Sequence, residues 1–191
     1  MMNRKGFTLI EMMVVISLLT IILGTLFLLA NSTGEAARVQ EAKTASRDQV
    51  RNAISPIVRE LRQASTSSIN WSELPGAAIT YRLPVDISGN GHPVDAAGQL
   101  ELSPPRRIGL DDADINNDGL TETQAVLTED GVYMRVLASY LSPDGAAGAE
   151  PALWFEPVGQ GIRVTVSAQV SAGPGSPPMR STLQETVLPR N

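Results

Sequence analysis

At 191 residues the chain has room for one membrane segment and one exported domain of ordinary size, and none for a second globular domain. Its formal net charge is −5 and its pI about 4.9, a surface that repels phosphate backbones and argues against nucleic-acid binding. Cysteine is absent, which removes disulfides and thiol nucleophiles, and the single histidine, His92, reads as a turn residue in Gly-Asn-Gly-His-Pro rather than a ligand or base.

Met1 to Gly6 form a short leader whose charges are Arg4 and Lys5, which keep the N-terminal end on the cytoplasmic side of a membrane. Residues 7 to 30 hold no Lys, Arg, Asp or His and a single acid, Glu11. As a helix they would run about 36 Å at roughly 1.5 Å per residue, enough to span a hydrocarbon core of about 30 Å with some tilt. A secretory signal peptide would show a shorter apolar run and a small-residue cleavage site, whereas Asn31-Ser32-Thr33-Gly34 leads into more helix. A plain anchor gives no reason for Glu11, since an intramembrane acid costs about 2 to 3 kcal/mol at a helix centre and is kept where it has a partner.

Cleavage between Gly6 and Phe7 would supply that partner. It removes Arg4 and Lys5, taking the side-chain balance from −5 to −7, and creates an α-amine on Phe7 at the level of the Glu11 carboxylate. The run Arg4-Lys5-Gly6-Phe7-Thr8-Leu9-Ile10-Glu11, with the apolar stretch behind it, closely resembles the N-terminal signature of type IV pilins and of the pseudopilins of type II secretion. The resemblance implies a prepilin peptidase that cuts after Gly6 and N-methylates Phe7. It also implies an inner-membrane assembly platform, other pilin-like subunits as partners, and a filament core made of these helices, with Glu11 assisting assembly.

Helical character continues from residue 31 to about 68. Good helix formers fill Glu35 to Ala64, and Val50, Ile54, Ile57, Val58 and Leu61 draw one apolar face. Pro56 is expected to kink the helix or restart it. Residues 69 to 191 read as a β-rich head, with strands over Ala78 to Pro84, Gln99 to Ser103, Gln124 to Thr128, Val132 to Ser139, Leu153 to Pro157, Ile162 to Val170 and Ser181 to Leu188. Strict alternation from Ile162 to Val170 predicts a half-buried antiparallel strand partnered by Thr182 to Leu188. Trp71, Trp154 and Phe155 are expected in the core, and Arg106 and Arg107 in a solvated loop. The fold class is therefore α+β, a long N-terminal helix packed on an antiparallel sheet, which is also what the pilin resemblance implies. Ile57 to Ala64 and Thr186 to Asn191 further resemble the J-type minor pseudopilins and related minor pilins.

Residues 112 to 122 carry the remaining chemistry. Counting from Asp114, oxygen side chains stand at positions 1, 3 and 5 (Asp114, Asn116, Asp118), Gly119 at 6, the Leu120 carbonyl at 7 and Glu122 at 9. Alternate oxygens followed by a Gly form the first part of a Ca²⁺ loop. Ala125 occupies the place of an EF-hand's closing Glu, so the stretch resembles the shorter calcium loops of extracellular β-rich proteins, closed by an acid at position 9. A structural Ca²⁺ is the expectation, against an acidic surface turn. Catalysis has no support: there is no H-E-x-x-H, no G-x-S-x-G and no Cys. The alternative to a filament subunit is a membrane-anchored periplasmic binding module stabilised by calcium.

Overall fold

The computed structural model describes residues 8–142, 151–173 and 178–190; Gly6 and Phe7 lie outside the described residues. The chain forms two units, residues 1–41 and 42–191, and one helix, α1 (Leu9–Leu61), runs from the first into the second.

From Leu9 to Leu29 the apolar side chains of α1 have no cover among the described residues. Leu9 is 80% exposed and Phe27 67%, and the large apolar residues between them are open as well. A helix apolar all round is stable only where lipid or other helices surround it. Its few hydroxyls are compatible with such a setting, because Ser17, Thr20 and Thr25 donate to the carbonyls of Met13, Ile16 and Ile22, each at 2.8 Å. By length and composition this helix can cross a membrane.

In the second unit the expected face of α1 is the buried one: Val50, Ile54, Ile57, Val58 and Leu61 are all at most 4% exposed. The helix passes Pro56 without interruption, so a separate helix after a break does not form. Pro56 deprives the Asn52 carbonyl of its donor, and Asn52 lies on the exposed side where the loss is cheapest. Helical geometry ends at Leu61, and a short 3₁₀ turn at Thr66–Ser68 follows.

Two antiparallel sheets pack against this face rather than one. The first has the order β1 (Ile79–Tyr81), β2 (Arg106–Leu110), β3 (Ala125–Glu129), β4 (Val132–Ala138). The second has the order β5 (Leu153–Val158), β6 (Gly161–Val170), β7 (Met179–Val187). Isolated bridges Gly76 to Phe155 and Leu141 to Ala168 link them. The apolar side of β6 is as expected, with Ile162, Val164, Val166 and Ala168 fully buried, but the strand is not half-buried: Thr165 and Ser167 on its other side are buried too. Ile162 pairs with Val187 at the far end of β7. The α+β architecture is therefore as expected, and Phe155 is a core residue, while Trp71 and Trp154 are half-buried.

One strand expectation and one loop expectation are corrected. Gln99 to Ser103 makes no strand; it is held by isolated bridges, Val94 to Leu100 and Pro84 to Leu102, in a stretch turned by left-handed residues at Gly89, Gly91 and Gly98. The sheet position is taken instead by Arg106–Leu110, of which Arg106 and Arg107 are expected from the sequence in a solvated loop. Ile108 is fully buried between β1 and β3, and Arg106 is drawn inward by two carboxylates: its Nε lies 2.9 Å from Glu129 Oε1 and its Nη1 3.8 Å from Glu60 Oε2.

Glu60 is the centre of that arrangement. It is buried on α1, ion-paired to Arg135 on β4 as well as to Arg106, and it accepts from the Tyr81 hydroxyl at 3.4 Å. Burial first, and then the Glu60 carboxylate, push the Tyr81 phenol well above its ordinary range, so it remains a neutral donor. Helix, β1, β2 and β4 thus meet at one carboxylate.

A second closure joins the segment just after α1 to the segment after β7. Ala64 O accepts from Arg190 N–H at 2.9 Å, and Arg190 O accepts from Thr66 N–H at 2.8 Å. The two segments run parallel through a bridge between Ser65 and Arg190.

Candidate functional site

Two of the regions singled out in the sequence bear on function. The first is the start of α1. Thr8 sits at the helix entrance and Glu11 in the first turn. The Glu11 N–H donates to Thr8 Oγ1 at 3.3 Å, and Glu11 Oε2 accepts from the Thr8 N–H at 3.3 Å and its hydroxyl at 3.5 Å. This is a reciprocal capping box, a feature that the Thr-x-x-Glu spacing encodes in the sequence. It adds a local role for Glu11, since an acid in the first turn also meets the positive end of the helix dipole. Only Oε2 is used: among the described residues Oε1 has no hydrogen-bond partner, so the carboxylate keeps acceptor capacity for a cation. Phe7 and Gly6 are outside the described residues, and the pairing of Glu11 with the Phe7 amine is therefore not part of this geometry.

The second is the loop between β2 and β3. Its neck is closed by the Asp111 N–H donating to Gln124 O and the Glu122 N–H to Asp111 O, each at 2.9 Å. Asp114, Asn116 and Asp118 are brought into one turn. Asp114 Oδ1 accepts from the N–H groups of Asp118 at 2.9 Å and Gly119 at 3.2 Å. Gly119 has φ +80°, a conformation in which a side chain would be strained. Asp118 accepts from the Leu120 N–H, from Gln124 Nε2 and from Asn116 Nδ2 at 2.9, 2.8 and 2.9 Å, and these donors, Leu120 foremost, hold its carboxyl below the usual carboxylate range.

Glu122, the expected closing ligand, lies at the exit with φ +61° and an exposed side chain. Among the described residues no three acidic, His or Cys side chains converge as a metal cluster. The buried acid of the loop is instead Asp111, which falls just before the stretch read as calcium-binding. Its Oδ1 accepts from the Ile115 N–H at 2.8 Å, whereas Oδ2 is buried without a hydrogen-bond partner. Asp111 and Gln124 were missed because nothing in their spacing marks them. Their roles arise from β2 and β3 pairing across the loop, Leu110 opposite Ala125.

No curated protein and no solved structure matches the chain. Its N-terminus does find a counterpart: residues 1–27 match the family described as Prokaryotic N-terminal methylation motif, so the chain carries a prepilin-type N-terminal methylation motif over most of the exposed apolar stretch of α1.

Proposed function

We propose that the protein is a minor pilin-like subunit, of the J-type pseudopilin kind, in a type II secretion pseudopilus or a type IV pilus. The observation that carries this reading is the match of residues 1–27 to the methylation motif on a helix whose apolar side chains have no cover in a single chain. Prepilin peptidase would cut between Gly6 and Phe7 and methylate the Phe7 amine. The inner-membrane assembly platform would then stack the helix against those of other pilin-like subunits, with the second unit outside the cytoplasm. Apolar packing supplies most of the cohesion, and Glu11 with the Phe7 amine sets axial register, because a misplaced subunit leaves a carboxylate unpaired in apolar surroundings. The role is structural, not enzymatic. Intact mass and N-terminal sequencing, from membranes with and without the peptidase, test it. The expected product begins at Phe7 with one added methyl, only when the peptidase is present. A chain beginning at Met1 or Met2 in both cases would leave a simple anchored module.

We further propose that the loop 112–122 takes a structural Ca²⁺ through Asp114, Asn116, Asp118, the Leu120 carbonyl and Glu122. The unpartnered, buried Asp111 Oδ2 supports this reading, since a cation beside it would satisfy an oxygen that no described residue meets. Such an extracellular site would bind at about 10⁻⁴ to 10⁻³ M. Chelation is expected to open residues 112–122 to protease while membrane anchoring persists. Identical digestion patterns with calcium and with chelator would sink the site.

A further inference from the structure

The exposed side of α1 in the second unit carries a row of arginines that neither the core nor the helix start explains. Arg47, Arg51, Ser55, Arg59 and Arg62 follow one another at steps of four, four, four and three, one helical face, and all are exposed. They form one wall of a seam whose other wall is β7. Near one end, Arg47, Val50 and Arg51 face Ser181, Thr182 and Leu183 across a groove of about 520 Å³. Near the other, Ser55, Arg59 and Arg62 face Glu185 and Arg190 across one of about 450 Å³. Arg62 is paired to Glu185 at 3.0 Å, but Arg47, Arg51 and Arg59 make no ion pair with any described residue. The contrast with the rest of the unit is sharp, since beyond residue 62 the sequence holds seven Arg, no Lys and fifteen Asp or Glu.

β7 is also an open edge. It pairs with β6 on one side, and among the described residues the order β5-β6-β7 leaves the other side without a strand. Every second residue of an edge strand turns its N–H and C=O outward, and none of these in β7 makes a backbone hydrogen bond with a described residue. Val187 is buried against the helix, so period-two alternation places Ser181, Leu183 and Glu185 on the same side as the arginines. Leu183, 40% exposed there, is an apolar floor left uncovered.

We propose that this seam docks an extended acidic segment of another subunit, added as a strand to the free edge of β7. The spacing fits. Residues i and i+4 of a helix are about 6 Å apart along its axis, and alternate residues of a strand about 6.6 Å. Carboxylates at every second position of an added strand would therefore meet Arg47, Arg51 and Arg59, with Ser55 opposite the position between the last two, and a segment of about seven residues would cover the roughly 22 Å from Arg47 to Arg62. Backbone pairing supplies affinity and the arginine row supplies selection for acidic sequence. That the occupant belongs to a filament subunit rests on the function proposed above; the chemistry of the groove does not.

The test uses the full chain in zwitterionic micelles and a labelled octapeptide of alternating Glu and Val. Saturable binding is expected, at least about tenfold weaker for the double variant Arg51→Glu, Arg59→Glu and for a peptide of the same composition with its Glu residues clustered. In the unaltered chain, hydrogen exchange of residues 179–187 is expected to slow when the alternating peptide is added. Equal binding by the variant, equal binding of the clustered peptide, or unchanged exchange in β7 would each overturn the proposal. So would loss of peptide binding when the chain is placed in nanodiscs containing phosphatidylglycerol, which would assign the arginines to an anionic lipid surface. Binding is read on single chains, so failure to form filaments leaves this result standing, and failure of the groove leaves the processing test standing.

Discussion

Replacing Glu60 with Ala is expected to lower the folding stability of the second unit by about 2–4 kcal/mol. The side chain is buried, and its removal leaves the Tyr81 hydroxyl without an acceptor inside the core and deprives Arg135 of its partner. Arg106 retains Glu129 at 2.9 Å, and Arg135 is 47% exposed and can turn to water. For that reason the loss falls below the upper end of what an abandoned buried charge costs. Glu60→Gln keeps an acceptor for Tyr81 and gives up the charge, so it should fall between wild type and Glu60→Ala. Urea unfolding of the full chain in micelles, followed by the fluorescence of Trp71 and Trp154, measures the difference. A change below about 0.5 kcal/mol for Glu60→Ala would mean that apolar packing alone joins helix to sheet.

The largest functional effect is expected at Glu11. Glu11→Ala should still be processed and inserted, because the cleavage residues and the apolar stretch are untouched, yet its incorporation into filaments should fall by roughly tenfold or more, the measure of a register preference of about 1.4 kcal/mol. The capping box complicates the choice of control: Glu11→Ala also removes the contact to the Thr8 N–H. Glu11→Gln keeps a side-chain acceptor for that N–H and lacks only the charge. If the role is charge pairing, Gln should fail as Ala does; if it is capping, Gln should restore incorporation. Normal incorporation of both variants, judged by immunoblotting of sheared filaments, would remove Glu11 from assembly altogether.

What the sequence disclosed, and what it hid, follows from the range over which each signal acts. The buried face of α1 and the apolar side of β6 are periodic within a few residues and stand where they were expected, whereas nothing in that period marks the burial of Thr165 and Ser167 on the other side of β6. Arg106-Arg107 looked like a solvated pair because its partners, Glu60 and Glu129, come from other elements and are joined to it only by the fold. The run at Gln99 to Ser103 has the composition of a strand, but a strand needs a continuous neighbour, and β1 pairs with β2 instead. At the helix start the Thr8 to Glu11 spacing was visible all along. In the loop, Asp114, Asn116 and Asp118 were legible from their alternation, whereas Asp111 acquires its place from the pairing of β2 with β3.

The closure at Arg190 has a consequence for the order of events in folding. The contact between Thr66 and Arg190 spans 124 positions of chain, close to the largest loop this unit can make. Such contacts carry a high entropic cost of formation and slow the search. Since synthesis proceeds from the N-terminus, the amphipathic stretch of α1 is made long before the segment that seals its end, and β7 precedes that seal by only a few residues. Until then the buried face of the helix has no complete cover. A chain lacking residue 190 would therefore leave Val58, which lines a groove together with Arg190, less covered, and an incomplete unit of this kind is prone to aggregation and to capture by chaperones.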